Sequence, residues 1–337
     1  MKSSPRRPPG PDFASLSERF GESLDAREAA AILGIPVGEL AETAARARSA
    51  GFWLAEGAGG TLRLENRPLE SVRIAGAAGW TIEVLPEADS TNARLLARSP
   101  AGGLFPGMVL CAERQTAGRG RFGRTWACPP FAGLLFSAFV HLSPDPIAGT
   151  ALTAAAAVSA ARAIREAFGV PVELRWPNDL VVRGRKIGGI LAETCHAAGP
   201  GAFVVGLGIN THVRAEEFPK DLETPATSIA METDRPCDRN ALLAGVLRAL
   251  EERLDGLSHG DFRGVEAEWK ALSGMIGTRV CLSIGRASVE GRVEDLSIRD
   301  GLILRRPDGG IEIHPADAVF RLRSADGMSS RGPAART

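Results

Sequence analysis

The segment Gln115–Trp126 (QTAGRGRFGRTW), called the arginine loop below, constrains this chain more than any other stretch. Three glycines and three arginines occupy the seven residues from Gly118 to Arg124. Glycine lets the backbone approach a ligand closely, and a guanidinium is a planar, permanently charged donor for carboxylate and phosphate oxygens. The loop therefore predicts an anion-binding segment, with a plain solvated basic loop as the alternative. It is not a phosphate loop of the GxxxxGKS/T type, because no Lys-Ser/Thr pair follows.

The composition limits the class of protein. A chain of 337 residues exceeds the usual size of one domain, so two or three domains are expected. Hydrophobic residues make up 44% and charged residues 24%, which is typical of a soluble globular protein. The formal net charge is zero, so the chain as a whole has no electrostatic attraction to nucleic acid or membranes. Any anion site must therefore be local.

The cysteines, histidines and apolar stretches bear on the compartment. The five cysteines are odd in number, scattered and without CxxC spacing, and we see no signal peptide. These features predict reduced thiols and a cytoplasmic location. The five dispersed histidines argue against a structural zinc site. The longest uncharged helical run, Ile147–Ala161, is too short and too rich in alanine to span a bilayer, so no membrane partner is expected.

The N-terminal part of the chain predicts a small domain. Residues 1–11 are rich in proline and basic residues and are expected to be a disordered leader. In residues 12–66, three helices and a β-hairpin are predicted, at Phe13–Phe20, Ala26–Leu33, Val37–Ala50, Phe52–Leu54 and Thr61–Leu64. This order indicates a winged helix-turn-helix-like domain, with a helical cap that has no role in DNA binding as an equal alternative. Residues 67–79 are expected to be a linker.

Residues 80–272 alternate strands and helices and predict an α+β domain. The strand Leu134–His141 is apolar at nearly every position, which indicates burial on both faces of a sheet, and the alanine-rich helix Ala148–Phe168 is expected to pack on it. From residue 273 to 325 the pattern changes to short strands separated by glycine turns, which predicts a small antiparallel barrel. Residues 326–337 are expected to be a flexible tail.

Short motifs across residues 80–325 resemble those of bacterial biotin protein ligases. They are DSTN at 89–92, the GRGRxGRxW pattern of the arginine loop, RWPND at 175–179, KIGGIL at 186–191 and GLGIN at 206–210. The resemblance is specific because the motifs occur together, in the family's order and spacing. One departure is Arg175, where lysine is commoner, and this change keeps the charge. The resemblance implies a mixed-sheet, class II synthetase-like catalytic domain, with a winged-helix-like domain before it and an SH3-like barrel after it.

The same resemblance implies an ATP-dependent biotin–protein ligase. Biotin and ATP would form biotinyl-5′-AMP and pyrophosphate, and a lysine of a biotin carboxyl carrier protein, part of acetyl-CoA carboxylase, would then take the biotin. Mg²⁺ would be carried by the substrate phosphates, so no metal ligand is singled out. Two alternatives stay open: a lipoate or octanoate–protein ligase, which the arginine loop argues against, and an additional role as a biotin-responsive DNA-binding repressor.

Site residues follow from the resemblance, position by position. Biotin would be bound by Ser90, Thr91, Asn92, Gln115, Arg119, Gly120, Arg121 and Lys186. ATP would be bound by Arg119, Arg121, Trp126, Asn178, Lys186 and Asn210. Arg121, Lys186 and Asp179 would act in catalysis, with Asp179 orienting Lys186, accepting a proton from the incoming amine or capping a turn. The structural alternatives are helix capping for Ser90, strand-end solvation for Gln115 and core packing for Trp126.

The resemblance also bears on partners. A homodimer is expected when ligands are bound, formed edge to edge by two central sheets, with Phe203–Gly208 as a candidate edge strand. DNA binding is doubted, because residues 12–66 carry nine acidic and five basic residues and a net charge of −4. Such a module gives up most of the attraction to phosphates that supports binding to DNA.

Overall fold

A seven-stranded mixed sheet with helices on both faces forms the centre of the computed structural model, which describes residues 11–57, 60–74, 79–99, 102–285 and 287–324. The predicted tail and all but the last residue of the predicted leader lie outside these ranges. The helices are α1 (Phe13–Glu18), α2 (Ala26–Leu33), α3 (Leu40–Arg48), α4 (Ser71–Ile74), α5 (Thr91–Arg98), α6 (Ala148–Phe168), α7 (Ile229–Glu232), α8 (Arg239–Ser258) and α9 (Arg263–Leu272). The strands are β1 (Ser23–Leu24), β2 (Trp53–Glu56), β3 (Leu62–Asn66), β4 (Thr81–Leu85), β5 (Met108–Ala112), β6 (Gly133–His141), β7 (Glu173–Arg175), β8 (Asp179–Val182), β9 (Arg185–Thr194), β10 (Ala202–Asn210), β11 (Arg279–Ile284), β12 (Ala287–Ser297), β13 (Gly301–Arg305), β14 (Ile311–His314) and β15 (Arg321–Ser324).

The central sheet confirms the predicted α+β class. Its strand order is β4-β5-β6-β10-β9-β8-β7, with β4 and β5 parallel and the other neighbours antiparallel. Side chains alternate across β5: Val109 and Cys111 pack in the apolar cluster that contains α6, whereas Leu110 packs with Leu95 of α5 in another. The sheet is therefore covered by α6 on one face and by α5 on the other.

The predicted edge strand is wrong. Strand β10, which contains Phe203–Gly208, pairs over its whole length with β6 on one side and along most of it with β9 on the other. The apolar run reflects burial in the middle of the sheet, where both faces are covered, and not an edge that waits for a partner. Among the described residues, the outer strands of this sheet are β4 and β7.

The N-terminal unit has its own small core. Helices α1 to α3 and a three-stranded antiparallel sheet of order β1-β3-β2 enclose an apolar cluster that includes Leu16, Leu33 and Leu64. The predicted hairpin is confirmed, since β2 pairs with β3. The predicted helix at 37–50 is shorter than expected, because its first residues form a 3-10 turn and α3 begins at Leu40.

The predicted linker contains ordered structure. Helix α4 lies within residues 67–79, and the side chains of Leu69 and Ile74 are buried in the core of the central unit. Residues 75–78 lie outside the described ranges. The C-terminal unit is a five-stranded antiparallel sheet of order β14-β13-β12-β11-β15, and its buried side chains, such as Leu282 and Leu304, continue the same core. None of the helices in the described ranges has the length and apolar character needed to cross a bilayer.

Candidate active site

A cavity of about 710 Å³ lies between α5, the arginine loop, the β8–β9 hairpin and strand β10. All twelve residues predicted for the site line it: Ser90, Thr91, Asn92, Gln115, Arg119, Gly120, Arg121, Trp126, Asn178, Asp179, Lys186 and Asn210. The lining also contains Arg124, Arg175 and Arg321, so basic side chains outnumber the three acidic ones, Asp179, Asp221 and Glu223. The cavity therefore suits a ligand with several negative charges.

The N-terminus of α5 forms one end of the cavity. Gln115 Oε1 accepts a hydrogen bond from the Thr91 backbone N–H at 2.7 Å, so Gln115, and not Ser90, caps this helix. Within the described part of the chain the Ser90 side chain makes no capping hydrogen bond. The helix-capping alternative for Ser90 and the solvation alternative for Gln115 are both wrong. Ser90 is buried and lines the cavity, where its hydroxyl can serve a ligand.

Asn92 is fixed by a network of polar groups below this end. Its Nδ2 donates to Glu193 Oε2 at 2.7 Å and to the Leu191 carbonyl at 3.1 Å, and the Ser137 hydroxyl donates to its Oδ1 at 2.5 Å. Glu193 also faces Arg119 of the arginine loop, with 3.4 Å between Oε2 and Nη2. This end of the cavity is therefore held by hydrogen bonds that join α5, β6, β9 and the loop.

Lys186 and Trp126 form the opposite wall. Lys186 Nζ lies 2.6 Å from Asp179 Oδ1 and 5.5 Å from the centroid of the Trp126 ring. Both charged groups come from the β8–β9 hairpin, whose tight turn at Arg183-Gly184 has two positive φ angles, 49° and 77°. The ion pair fixes the direction of the ammonium, which agrees with the predicted orienting role of Asp179.

Trp126 lies in the cavity wall and not in the core. Its ring covers the backbone of β10 so closely that a Cβ at Gly208 would lie 2.6 Å from Trp126 Cε2. Only glycine permits this approach. Trp126 Nε1 is buried against this strand and has no hydrogen-bond partner among the described residues.

The arginine loop is held by the C-terminal unit. Arg121 Nη2 donates to the Ala316 carbonyl, and Arg124 Nη2 donates to the Phe320 carbonyl at 2.6 Å. Between them Phe122 takes a left-handed backbone (φ 56°), and its ring centroid lies 5.2 Å from that of Phe320. Burial lowers the pKa of the Arg121 guanidinium from its ordinary value. The loop is thus ordered across the mouth of the cavity and is not a freely solvated basic loop.

Comparisons with known proteins decide the family. A model of the biotin/lipoate A/B protein ligase family matches residues 84–210. The chain is 34% identical over 262 residues to the biotin–(acetyl-CoA-carboxylase) ligase of Mycobacterium tuberculosis, a match that covers 76% of this chain and 95% of that protein. The chain belongs to the biotin protein ligase family.

Two further relatives agree with this assignment. The bifunctional ligase/repressor BirA of Escherichia coli is 33% identical over 249 residues, which is 74% of this chain and 76% of BirA. The structure of the biotin protein ligase from Aquifex aeolicus in complex with biotin and ATP superposes with a TM-score of 0.63 at 28% identity, over 73% of this chain and 99% of that one. The α+β fold with its mixed sheet is therefore the biotin protein ligase fold.

In this member of the biotin protein ligase family, the two predicted asparagines bind neighbouring backbone. Asn178 Nδ2 donates to the Ile190 carbonyl at 2.8 Å, and Asn210 Nδ2 donates to the Thr227 carbonyl at 3.1 Å. Both residues line the cavity, but their amide nitrogens are engaged by the protein. Each amide keeps its Oδ1 as an acceptor for a ligand.

Several parts of this biotin protein ligase site were missed in the sequence. The segment 218–226 contributes seven lining residues, Phe218, Pro219, Asp221, Leu222, Glu223, Thr224 and Ala226. Ser137, Glu193 and Ala316 hold predicted site residues without belonging to any of the motifs. The one available signal was position: Glu193 follows the KIGGIL motif by two residues on the same strand.

The two stems of the arginine loop are pinned by one buried arginine. Arg239, whose side chain is 0% exposed, donates to Glu113 Oε2 at 2.6 Å before the loop and to the Gly133 carbonyl at 3.0 Å after it. It also donates to Asn66 Oδ1 and to the Arg67 carbonyl, both at 2.9 Å. One guanidinium therefore joins the loop stems to the end of the N-terminal unit.

The described residues contain no cluster of side chains that could bind a metal ion. No group of three or more His, Cys, Asp or Glu side chains in these ranges is placed to hold a metal ion. Of the three acidic residues that line the cavity, Asp179 is paired with Lys186 and Glu223 with Arg321.

Proposed function

We propose that this chain is an ATP-dependent biotin–protein ligase. The observation that carries the proposal is the convergence of the arginine loop and Lys186 on one cavity, in a chain that belongs to the biotin protein ligase family. In the first half-reaction a carboxylate oxygen of biotin attacks the α-phosphorus of ATP, and the bond to pyrophosphate breaks. In the second, the amine of an acceptor lysine attacks the carbonyl carbon of biotinyl-5′-AMP, and AMP leaves.

We assign the α5 end of the cavity to biotin. The ureido ring of biotin needs hydrogen-bond partners when it is buried, and Ser90, Thr91 and Gln115 offer short polar groups there. Asn92 is held by Glu193 and Ser137, so its role is to shape the pocket. The backbone of Gly120 and the side chain of Arg119 would close over the bound molecule from the arginine loop.

We assign the Lys186 end to the carboxylate and the phosphates. Both half-reactions move negative charge between a carboxylate, phosphates and a leaving group, so fixed cations placed where the charge develops should provide most of the catalysis. Lys186, oriented by Asp179, and Arg121 are these cations. Arg121 lines the cavity while its Nη2 donates to the Ala316 carbonyl, so its remaining N–H groups are the donors for an anion. Trp126, Asn178 and Asn210 line the cavity at the same end and would contact the nucleotide.

Magnesium stays a prediction that follows from ATP as a substrate. Mg²⁺ is commonly bound through one or two carboxylates, water and substrate phosphates, so it would enter the site with ATP. When bound it would neutralise phosphate charge. Among the described residues, Asp221 is the cavity-lining carboxylate for which no ion pair is seen, and it would be the protein carboxylate available to magnesium.

Pyrophosphate release tests the proposal. The full-length protein is incubated with ATP and biotin, with ATP alone, and with ATP and lipoate. We expect release that depends on biotin, and transfer of radiolabelled biotin to a carrier-protein domain in a second assay. Release that depends on lipoate or octanoate instead would identify the alternative ligase.

We also propose the domain assignment and the partners. Residues 12–66 would be a winged-helix-like domain, 67–79 a linker, 80–272 the catalytic domain and 273–325 an SH3-like barrel. The separate apolar core of the N-terminal unit supports the first boundary. The acceptor would be a biotin carboxyl carrier protein.

A cytoplasmic location stays a prediction from the sequence. A homodimer of the liganded protein also stays a prediction, which sedimentation with biotin and ATP would test.

A repressor role is a second candidate, because the relative BirA of E. coli is named a bifunctional ligase/repressor. The basic residues of α3 count against it. Arg46 Nη1 lies 3.6 Å from Glu42 Oε1, and the Arg48 guanidinium lies 4.3 Å from the centroid of the Trp53 ring. Each guanidinium is shared with a neighbouring side chain, and residues 12–66 carry a net charge of −4, so we propose that this unit binds DNA weakly or not at all.

A further inference from the structure

Glu232, the last residue of α7, is a buried carboxylate that does not line the cavity. Its side chain is 1% exposed. It accepts hydrogen bonds from Thr227 Oγ1 at 2.5 Å, from Arg185 Nη2 at 2.7 Å and from Arg183 Nη1 at 3.4 Å. A buried charge is costly unless it is paired and hydrogen-bonded, and these three donors meet that requirement.

The donors lie on two segments that meet at Lys186. Arg185 precedes Lys186 on β9. Thr227 belongs to a segment whose backbone pairs with Lys186 on both sides: Lys186 N donates to the Pro225 carbonyl at 2.7 Å, and Thr227 N donates to the Lys186 carbonyl at 2.9 Å. Glu232 therefore fastens this segment to the strand at the residue whose ammonium faces the cavity.

The same segment fixes two further parts of the Lys186 end. The Thr227 carbonyl accepts the hydrogen bond from Asn210 Nδ2. Seven of the nine residues 218–226, which lead into Thr227, line the cavity. The α5 end is held by a different network, that of Gln115, Glu193 and Ser137. A disturbance at Glu232 should therefore reach one end of the cavity and spare the other.

We propose that Glu232 is a positioning residue for the nucleotide end of the site. It contacts no substrate and acts by aligning Lys186, Asn210 and the cavity wall 218–226. This inference rests on the proposed function, because it assigns the Lys186 end to ATP.

The test compares Glu232→Gln with a matched control. Glu232→Gln keeps the shape but removes the charge that holds Arg185 and Thr227. The control is Glu268→Gln, because Glu268 also pairs with two arginines, Arg253 at 2.7 Å and Arg162 at 2.6 Å, but lies outside the cavity lining. Initial rates of pyrophosphate release are measured in the full chain while ATP and biotin are varied separately.

We expect the KM for ATP to rise about tenfold or more in Glu232→Gln, since losing a hydrogen bond to a charged group typically weakens binding by about that factor. The KM for biotin should stay unchanged, and Glu268→Gln should keep both KM values. Thr227→Val, which removes one donor at nearly constant volume, should raise the KM for ATP less but in the same direction. If Glu232→Gln does not fold, as judged by circular dichroism, Thr227→Val decides.

An equal rise in both KM values, or wild-type KM values in a folded Glu232→Gln, would overturn the inference. Failure of the proposed function is separable: there, the wild-type chain itself releases no pyrophosphate with biotin. In that case calorimetric titration with ATP decides, with weaker binding to Glu232→Gln than to Glu268→Gln as the expected result and equal binding as the contrary one. A wild-type chain that binds no ATP would overturn both.

Discussion

Lys186 shows how a single side chain is prepared for anions. Its ammonium is held by Asp179 at 2.6 Å beside the Trp126 ring, so its direction is set before a ligand arrives. The side chain is less than one-third exposed. A cation fixed in a partly dehydrated wall stabilises developing negative charge more strongly than one on the open surface.

Lys186→Ala and Arg121→Ala should each keep the fold and weaken formation of the adenylate. Each removes a charge-assisted contact, which contributes about 1.5–3 kcal/mol, or about one to two decades in kcat/KM. Pyrophosphate release measures the effect. The control is Arg305→Ala, which breaks an exposed ion pair with Glu294 in the C-terminal unit. Wild-type rates in both site variants would contradict the assignment of the site.

His212 should make the stability of the protein depend on pH. It is 6% exposed, its Nε2–H donates to the Glu65 carbonyl, and burial lowers its pKa to about 3. In the unfolded chain the His212 imidazole has a pKa of about 6.5, so below that pH the unfolded chain binds a proton that the folded chain does not bind. The contribution of His212 to the free energy of unfolding is therefore complete above pH 6.5 and decreases as the pH falls. We expect about 2 kcal/mol less free energy of unfolding from this group at pH 5 than at pH 7.

Urea denaturation at both pH values measures the effect of His212. His212→Asn should flatten the dependence, whereas His259→Gln, a change at an exposed histidine, should leave it intact. Equal pH dependence in the wild type and His212→Asn would show that other groups are responsible.

Strand β10 links the sheet to the site at the scale of an element. Its register with β9 and β6 places Gly208 under the Trp126 ring, so the wall of the cavity depends on the absence of one Cβ. The strand is internal, and its backbone cannot move away without breaking two ladders of hydrogen bonds. A side chain added at Gly208 would therefore displace the Trp126 ring and not the strand.

Gly208→Ala should therefore displace Trp126 and weaken ATP binding. The added methyl would lie 2.6 Å from the ring, closer than packed carbon atoms approach. We expect about tenfold weaker binding by calorimetry and a lower Tm, since overpacking of this kind costs about 1–3 kcal/mol. Gly38→Ala is the matched control, because no atom lies within 4 Å of its added Cβ. Wild-type affinity in Gly208→Ala would place the nucleotide away from this ring.

Most elements could be predicted from the sequence because their signals are local. Helix α6 was predicted with its observed bounds, Ala148–Phe168, since an alanine-rich apolar pattern ends at Gly169, which adopts φ 69°. Strand β1 has only two residues and exists through its pairing with β3, which no local pattern encodes. The edge assignment of 203–208 failed for a similar reason: an apolar run reports burial and not strand order.

The residues of the site also fall into those that the sequence predicts and those that it does not. The twelve predicted residues lie in short motifs, where chemistry and spacing are visible together. Glu193 and Ser137 act through a partner far away in the sequence, since each hydrogen-bonds to Asn92, 101 and 45 residues away. Such contacts are set by sheet register and helix packing, so the sequence alone does not indicate them.

At the scale of the whole molecule, three units share polar and apolar contacts. The C-terminal unit continues the central core and holds the arginine loop through Ala316 and Phe320. The N-terminal unit keeps its own core but is joined to the centre through Asn66, Arg67 and His212. The cavity is thus formed by the central and C-terminal units, with the N-terminal unit bound behind it.

The N-terminal unit should bind DNA weakly or not at all at physiological salt. Its net charge of −4 over residues 12–66 opposes phosphate contacts, and Arg46 and Arg48 already have partners within the protein. A gel shift with the DNA upstream of its own gene, in the presence of biotin and ATP, measures this. A saturable, sequence-specific shift would contradict the prediction. Glu39→Lys/Glu42→Lys, which reverses two exposed charges, should increase non-specific binding.

Because of Arg239, the N-terminal unit cannot be removed or exchanged without affecting the central unit. A fragment that starts at residue 80 would lack Asn66 and the Arg67 carbonyl, and Glu113 would lose the backbone donor of Leu69. The guanidinium would then keep its charge but lose two of its five acceptor atoms. Loss of activity in such a truncated enzyme would therefore reflect a disturbed Arg239 network. An N-terminal unit from another protein would need acceptors for Arg239 at the positions of Asn66 and the Arg67 carbonyl.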